Sequence, residues 1–508
     1  MMWDKLASGS VQNQTGLKAE LTGKILNRSK RECSQQGVLL KSITEREKRT
    51  PVAEEAEVIV AGAGIAGVAA AVASARSGAK TLLVERNGLL GGVATAGLMA
   101  SMGNKFFANG ELVIRGIALE ILERLVERGG TSAGWKSPLT PKIPFDPEIF
   151  SLVLLEMVKE ANVGLYLHTM AVETIMSEDC LKGTIIESKS GREAVLGDVV
   201  VDATGDADVA ARAGAPTNYD PPGSNSLEFR MGNVDLQKTY EYFRKGPDQY
   251  PSEVDAPRTF KEFERNWLEN GFFYYPHGGG RRNGSNIAVL VEKAIQNGEF
   301  CKELGMLNGL DAFGMDGMQW NNTVIINSNF SRIDDLNVRE ASKAEAEARR
   351  ACFYVAEFLR KYVPGFKNAY IISTAPNLGV RYTRWIEGEY TLSSEEVKAG
   401  ARFDDAIGVA SSGFPGKPFE IPYRCMVPKR VENLLLASGK SVSTNPRGLL
   451  RGMTTCIILG QAAGVAASLS SKEGTISRRL DVKLLQKALF SQDVYLGNES
   501  RLTELALL

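Results

Sequence analysis

Histidine is scarce in this chain: only His168 and His277 occur among 508 residues. The six cysteines are scattered, and no two of them have the spacing of a zinc site, an iron–sulfur site or a CxxC redox pair. The sequence therefore excludes a multi-histidine metal site and predicts no metal. Scattered cysteines without a disulfide pattern favour a reducing, cytoplasmic compartment.

Net charge is also lacking, because 60 Lys and Arg residues balance 60 Asp and Glu residues. Nothing in this balance indicates a nucleic-acid partner. Residues 58–75 and 453–471 carry no charge and are long enough to cross a bilayer. Both are rich in Gly and Ala rather than Leu and Phe, so we interpret them as buried segments and predict no membrane span. Residues 1–40 lack the apolar core of a secretory signal, and Glu20 and Glu32 weaken the alternative of a transit peptide.

The first clear pattern is a β-α-β unit. Residues 57–61 (EVIVA) are rich in β-branched residues and uncharged apart from Glu57, as in a strand buried on both faces. A glycine-rich turn and an Ala-rich helix follow, Gly78 ends that helix, and residues 80–85 form the next strand. This order predicts a parallel sheet.

The rest of the chain alternates between helical and strand patterns. We predict helices over residues 111–128, 147–161 and 339–362 and from Met453, with strands over 163–175, 181–188, 193–201 and 433–437. The predicted fold is α/β, with a Rossmann-like domain built from residues 51–218 and 431–472 and an inserted α+β substrate or cap domain over 219–430. Residues 1–50 form an N-terminal extension and 473–508 a C-terminal tail.

The glycine-rich turn has the pattern GxGxxG in the context that a dinucleotide site requires. Gly62 makes the turn, Gly64 lets a pyrophosphate approach the backbone, and Gly67 allows close packing of helix on strand. The first helical turn, with Ile65 and Ala66, offers backbone N–H groups to phosphates. Glu85 lies 23 positions after Gly62, where a carboxylate binds ribose hydroxyls. The structural alternative is a Rossmann helix that binds no cofactor.

Three later features favour FAD over NAD. The loop after Glu85 contains Arg86, Gly91 and Gly92, which suits a bulkier cofactor. The strand ending at residue 202 runs into Thr204, Gly205 and Asp206, a turn typical of the backbone beneath FAD. A third segment joins Gly439 to a helix whose first residues, Met453 and Thr454, would point towards the flavin pyrimidine and stabilise negative charge there.

With these motifs in place, the sequence resembles the FAD-dependent oxidoreductases of the glutathione-reductase-like class over about residues 50–469. The resemblance is carried by residues 62–67, 89–98, 145–148, 202–206, 379–384, 421–425 and 460–464. It implies FAD as cofactor and the Ala171 backbone beside the adenine. The chain departs from the family in residues 443–448 (STNPRG), where relatives carry a histidine, and it lacks the cysteine cluster of the iron–sulfur relatives.

Candidates for the substrate site are less specific. His277, on an aromatic and basic loop, could transfer protons, although an idle surface histidine is the alternative. Arg381 and Arg384 would share a face if helical and could bind a substrate carboxylate or a cofactor phosphate, the alternative being salt bridges to Glu387 or Glu389.

We therefore predict an FAD-dependent oxidoreductase that acts on an unidentified small molecule by hydride transfer to or from flavin N5. No second GxGxxG has the required context, so the electron donor or acceptor is unidentified, and the oligomeric state is left open. The alternative is a protein in which FAD has a structural, sensing or non-redox role.

Overall fold

The computed structural model describes residues 47–103, 105–137, 140, 142–244, 260–275, 290, 293–299, 313–412 and 417–508. The chain divides into two compact units, Met1–Arg49 and Thr50–Leu508. All helices and strands given below belong to the second unit.

The elements are numbered in chain order. The helices are α1 (Ile65–Arg76), α2 (Ile117–Glu127), α3 (Pro147–Glu160), α4 (Asp208–Arg212), α5 (Leu236–Arg244), α6 (Phe260–Asn270), α7 (Val338–Tyr362), α8 (Ser394–Ala399), α9 (Met453–Lys472), α10 (Val482–Ser491) and α11 (Glu499–Glu504). The strands are β1 (Val52–Ala61), β2 (Thr81–Val84), β3 (Ser101–Gly103), β4 (Phe107–Ala108), β5 (Glu111–Leu112), β6 (Lys142–Pro144), β7 (Gly164–Tyr166), β8 (Met170–Ser177), β9 (Cys180–Ser188), β10 (Gly191–Asp202), β11 (Thr217–Asn218), β12 (Gly223–Ser226), β13 (Phe229–Gly232), β14 (Phe272–Tyr275), β15 (Phe313–Met318), β16 (Thr323–Ile333), β17 (Tyr370–Thr374), β18 (Gly379–Val380), β19 (Trp385–Ile386), β20 (Leu392–Ser393), β21 (Ala406–Ser411), β22 (Pro418–Pro422), β23 (Leu434–Leu436) and β24 (Thr444–Asn445).

The first sheet has the strand order of a Rossmann fold. Its parallel part runs β7-β2-β1-β10-β23, which is the order 3-2-1-4-5. The apolar, β-branched ends of β1 and β10 are buried, as the sequence predicts for central parallel strands. Because β23 follows the strands of a second sheet in sequence, the Rossmann-like part is built from two separated segments, which confirms the predicted α/β fold. The predicted domain limits at residues 219 and 430 remain predictions.

On the edge opposite β1, the long strand β10 pairs with two further strands. Its last residues pair with β23, whereas residues 191–196 pair antiparallel with β9, which in turn pairs with β8. The prediction of one strand over 163–175 was wrong: β7 and β8 are separate, and His168 between them has a φ of 52°. That left-handed residue breaks the extended chain.

The helix predicted over 111–128 also begins later than expected. Residues Glu111–Leu112 pair with Phe107–Ala108 in a short hairpin, and α2 starts at Ile117. Gly116 precedes it with a φ of 62°, which ends the hairpin segment before the helix begins.

Helices α1 and α9 pack with almost no space between their backbones. A Cβ atom on Gly460 would lie 2.2 Å from the carbonyl oxygen of Ala66, and one on Gly464 would lie 2.0 Å from that of Ala70. This close packing explains why both segments are rich in Gly and Ala. Among the described helices, α9 alone is long and apolar enough to cross a membrane, yet 89% of its most apolar window is buried inside the protein.

The second sheet is antiparallel and has its own core. Its strands follow the order β14-β15-β16-β12-β18, and β13 pairs with both β16 and β17. Helix α7 packs on β16 and β17 and buries alanines, Cys352 and Phe358 in this core. The segment from Gly92 to Ser101 links the two parts, since Leu98 lies in the second core while Ala94 and Ala100 lie in the first.

Candidate functional site

At two positions of the turn after β1, no residue larger than glycine fits. Gly62 has a φ of 99°, and a Cβ atom there would lie 2.7 Å from the carbonyl oxygen of Ala203. A Cβ atom on Gly67 would lie 1.8 Å from the carbonyl oxygen of Gly62. The turn therefore packs closely against the ends of β1 and β10 and the first turn of α1.

Gly64 differs from both, because a Cβ atom there would meet no atom of the described chain within 4 Å. Its φ of −63° is open to any residue, so the glycine is not needed for the local backbone. Gly64 caps α1 without a side-chain hydrogen bond, and the first turn, with buried Ile65 and Ala66, contains no acidic residue. An uncapped helix N-terminus facing open space is the environment that a phosphate group fits.

A second glycine loop lies against this turn. The N–H of Gly91 donates to the carbonyl of Ala63 at 2.8 Å, and Gly91 and Gly92 have φ values of 106° and 57°. A Cβ atom on Gly92 would lie 2.9 Å from the Cα of Gly64. The two loops that the sequence assigns to one cofactor are thus adjacent.

Glu85 is joined to the turn directly. One carboxylate oxygen accepts from the N–H of Ala63 at 2.6 Å, and the other accepts from the N–H of Asn87 at 2.8 Å and its side-chain amide at 2.9 Å. Glu85 is only 6% exposed. Since a carboxylate has about four acceptor positions and three are used, one position is left for a ribose hydroxyl. Arg86, the next residue, is exposed.

The predicted adenine contact lies near the same residue. The N–H of Thr169 donates to the carbonyl of Glu85 at 2.9 Å, and Ala171 follows two positions later on β8. Ala171 pairs with Ile186 and is partly buried. Its backbone is therefore near the end of the site marked by Glu85.

The turn after β10 is held by Asp202, which is fully buried. Its carboxylate accepts from the N–H of Thr204 at 3.0 Å, from the Thr204 hydroxyl at 2.6 Å and from the N–H of Ala210 at 3.0 Å. Burial raises the pKa of Asp202, against the effect of these hydrogen bonds. The Thr204 hydroxyl is occupied within the turn, and Gly205 has a φ of 87°.

Asp206 ties this turn to distant segments. Its carboxylate contacts the ammonium of Lys440 at 2.5 Å and accepts from the hydroxyl of Thr383 at 2.5 Å. Burial acts to raise the pKa of Asp206, but the contacts with Lys440 and Thr383 outweigh the effect of burial, and the pKa is lowered. The positive charge of Arg86 adds to that lowering.

The third predicted segment leads to a second uncapped helix N-terminus. A Cβ atom on Gly439 would lie 1.9 Å from the carbonyl oxygen of Leu450, so this loop packs on the approach to α9. Helix α9 has no side-chain cap and no acidic residue in its first turn. Met453 is half-buried, whereas Thr454 is 2% exposed and is enclosed by protein.

The two candidate arginines have different environments. Residues 381–384 are not helical, so the expected shared helical face does not exist. Arg384 donates to the carbonyl of Asp206 at 3.0 Å and forms an ion pair with Asp208, rather than with either predicted glutamate. Arg381 has no hydrogen-bond or ion-pair partner within the described part of the chain. Burial and the neighbouring charge of Arg451 lower its pKa.

Sequence reasoning missed most members of a set of buried and partly buried polar residues where the strands β3 and β6 meet the second sheet. Lys142 contacts Asp316 at 3.5 Å and lies 3.7 Å from the centre of the Tyr274 ring, and Ser101 donates to Asp316 at 3.0 Å. Glu228 is 3% exposed, and the positive charges of Lys142 and Arg381 both act to lower its pKa. We call this set the polar cluster; it comprises Ser101, Lys142, Glu228, Tyr274, Asp316 and Arg381.

Charged groups in this position are unusual, because burying a charge that is not paired costs free energy. Burial raises the pKa of Glu228 well above its usual value, against the opposing charge of Lys142. A single acid between buried apolar residues, as in Leu227-Glu228-Phe229 and Met315-Asp316-Gly317, is the sequence signal that could have revealed these residues.

The remaining catalytic candidate, His277, lies outside the described residues. Within the described ranges, no group of three or more His, Cys, Asp or Glu residues could hold a metal ion.

Comparison with known proteins identifies a family over most of the chain. A family model described as FAD dependent oxidoreductase matches residues 57–489. No curated protein sequence matches the chain.

Solved structures with a similar chain path share little sequence with this protein. A geranylgeranyl bacteriochlorophyll reductase-like protein from Thermoplasma acidophilum is 14% identical, with a TM-score of 0.44 over 90% of this chain and 88% of that one. The p-nitrophenol 4-monooxygenase of Pseudomonas putida is 11% identical, with a TM-score of 0.42 over 89% of each chain. L-proline dehydrogenase from P. horikoshii is 12% identical, with a TM-score of 0.40 over 86% of this chain and 98% of that one. None of these similarities indicates a substrate.

Proposed function

Since this chain belongs to the FAD-dependent oxidoreductase family, we propose that it binds FAD along residues 62–67 and oxidises or reduces a small molecule by hydride transfer at flavin N5. The observation that carries the proposal is Gly64. This residue has open space where a Cβ would lie, at the uncapped N-terminus of α1, although its backbone conformation does not require glycine.

The residues around Gly64 divide the binding of FAD between them. The N–H groups of Ile65 and Ala66 face the pyrophosphate, and Gly91 and Gly92 border it from the opposite loop. Glu85 holds the adenosine ribose, and the Ala171 backbone lies beside the adenine. The turn of Thr204, Gly205 and Asp206 supports the pyrophosphate loop, while Gly439, Met453 and Thr454 border the flavin end.

The chain also provides a place for a substrate. The segment from Gly92 to Ser101 leaves the phosphate site and reaches the polar cluster through the bond from Ser101 to Asp316. Asn377 ties this segment to the second sheet, since its N–H donates to the carbonyl of Ala96 at 3.2 Å. These contacts support our proposal that the substrate binds on the side of the flavin where the polar cluster lies. The electron donor or acceptor that completes the cycle is unidentified.

The free thiols support a proposal for the compartment. Cys180, Cys352, Cys425 and Cys456 are free. We therefore place the protein in a reducing compartment such as the cytoplasm.

The experiment is anaerobic titration of the purified protein with a metabolite library, followed at the flavin absorbance maximum. Bleaching by one compound class, reversed by an oxidant, supports the proposal. A fully loaded flavoprotein that stays oxidised with every compound, and is not reduced by NADH or NADPH either, would favour a structural or sensing role for FAD.

A further inference from the structure

The outer face of helix α7 carries an exposed aromatic pair that the proposed function does not use. The helix runs from Val338 to Tyr362 and packs on the second sheet with its opposite, buried face. On the outer face, Phe353 is 58% exposed and Tyr354 is 43% exposed. Two large aromatic side chains exposed side by side, with polar residues around them, are typical of the centre of an interaction surface.

Charges of alternating sign flank this pair along the helix. Glu347 and Arg350 precede it, and Glu357 and Arg360 follow it; all four are exposed. Because residues three and four apart share a face of a helix, the four charges and the two rings form one stripe. We call it the α7 stripe. From its N-terminal end it reads acid, base, aromatic pair, acid, base.

Most charges of the α7 stripe are not paired within the chain. Arg350, Glu357 and Arg360 form no ion pair with any residue that the structure describes. Glu357 acts on the charge of Lys361 one turn later, but that ammonium is itself paired with Glu299. A partner that binds the stripe would therefore meet charged groups that are free to form new ion pairs.

The order of the charges makes the α7 stripe complementary to itself. When two copies of a helix pack antiparallel about a two-fold axis, residues at equal distances before and after the axis face each other. With the axis between Phe353 and Tyr354, every base faces an acid. The facing pairs, each formed twice, are Phe353 with Tyr354, Arg350 with Glu357, and Glu347 with Arg360. A parallel arrangement would instead place each charge opposite its own kind.

We propose that this protein forms a two-fold symmetric dimer in which the α7 stripes of two copies pack antiparallel. The aromatic pairs bury apolar surface at the centre, and the flanking charges select the antiparallel orientation. Because the contact is confined to one stripe of one helix per copy, it buries less than the roughly 1,600 Å² of a standard interface. The dimer should therefore dissociate on dilution. The inference does not depend on the flavin or on the substrate.

Sedimentation velocity of the full chain tests association. Over concentrations from about 1 to 100 μM, the wild type should change from monomer to dimer, as a weak interface requires. Added salt should shift the equilibrium towards monomer, since the flanking ion pairs are at the surface. A wild type that remains monomeric over the whole range would overturn the inference.

The central ring locates the surface. Phe353→Glu should remain monomeric at the highest concentration, because it removes a buried ring from each copy and adds a carboxylate to each. The matched control is Phe490→Glu, which changes a phenylalanine that is 40% exposed on α10 and should dimerise as the wild type does. Circular dichroism verifies that both variants are folded. If Phe353→Glu still dimerises, another surface forms the dimer and the inference is wrong.

Charge reversal tests the antiparallel pairing. Arg350→Glu and Glu357→Arg should each weaken the dimer at least about tenfold, because symmetry turns two attractive pairs into two repulsive ones. These two positions are chosen because Glu347 already contacts Lys343 at 3.8 Å.

An equal mixture of the two single variants provides the sharpest result. In a mixed dimer both pairs again have opposite charges, so the mixture should associate with an affinity close to that of the wild type. Arg350 and Glu357 lie about two turns apart, so this recovery cannot come from a contact within one helix. If the mixture associates no better than either variant alone, the inference is wrong.

Discussion

The carboxylate of Glu85 accepts a hydrogen bond from the backbone N–H of Ala63 at 2.6 Å, across 22 residues of sequence. This bond joins the end of β2 to the turn that follows β1. The bond fixes the Glu85 carboxylate, which is the proposed acceptor for the ribose. It also fixes the backbone of the turn, which is the proposed contact of the pyrophosphate.

Glu85→Ala should therefore reduce FAD affinity at least tenfold in a protein that still folds, because a charge-assisted hydrogen bond contributes about 1.5–3 kcal/mol. The chain offers a matched control at the other end of the same strand pair: Glu57 accepts from the N–H of Lys80 at 2.6 Å. Glu57→Ala should retain FAD. Flavin released by heat from each purified variant measures the difference, and equal flavin content in both would remove Glu85 from the site.

A second prediction concerns the packing of α1 on α9. Gly460→Ala places a methyl group 2.2 Å from the backbone oxygen of Ala66, so the two helices must move apart to accommodate it. Overpacking of this kind costs about 1–3 kcal/mol, and we expect the upper end because the contact is with backbone. Chemical denaturation measures the free energy of unfolding. Gly64→Ala, in the same helix pair but with open space, should leave the stability of the FAD-free protein unchanged; a similar loss in both variants would contradict this packing.

Asp335 predicts how stability depends on pH. Burial raises the pKa of Asp335 to about 7. The negative charges of Asp206 and Asp334 add to this rise, and the positive charge of Lys440 opposes it. Neither carboxyl oxygen has a hydrogen-bond partner in the described part of the chain. The folded protein thus holds a proton that the unfolded chain releases near pH 4, so this residue makes the free energy of unfolding fall as the pH rises from about 4 to 7.

Asp335→Asn should remove that part of the slope and make the protein more stable than the wild type at pH 8. Thermal unfolding at several pH values checks both statements. Parallel curves for the two proteins would show that Asp335 does not titrate abnormally.

The sequence was most informative where structure is local. The order strand, glycine turn, helix and strand over residues 57–85 depends on neighbouring residues, and the structure contains it with small changes in the limits. Helix α9 and the second piece of the first sheet were predicted for the same reason. The late start of α2 and the break between β7 and β8 depend on single left-handed residues, Gly116 and His168, that periodicity does not reveal.

The contacts within the polar cluster could not be predicted because they join residues that are distant in sequence. Lys142 and Asp316 are 174 residues apart, and each lies in a segment that resembles an ordinary strand. Arg384 illustrates the same limit: its acidic partner, Asp208, comes from the Rossmann-like part rather than from the nearby glutamates. Long-range pairing of charges is decided by the tertiary fold.

The central claim is that FAD lies against Gly64, and Gly64→Val tests it most directly. The side chain would enter open space, so the protein should keep the circular dichroism spectrum and the unfolding temperature of the FAD-free wild type. Gly67→Ala, with a Cβ 1.8 Å from a backbone oxygen, should instead fail to fold normally. The decisive measurement is the FAD content of folded Gly64→Val, determined from the ratio of flavin absorbance to protein absorbance. We predict a colourless, folded protein; a folded Gly64→Val that retains one FAD per chain would contradict the account.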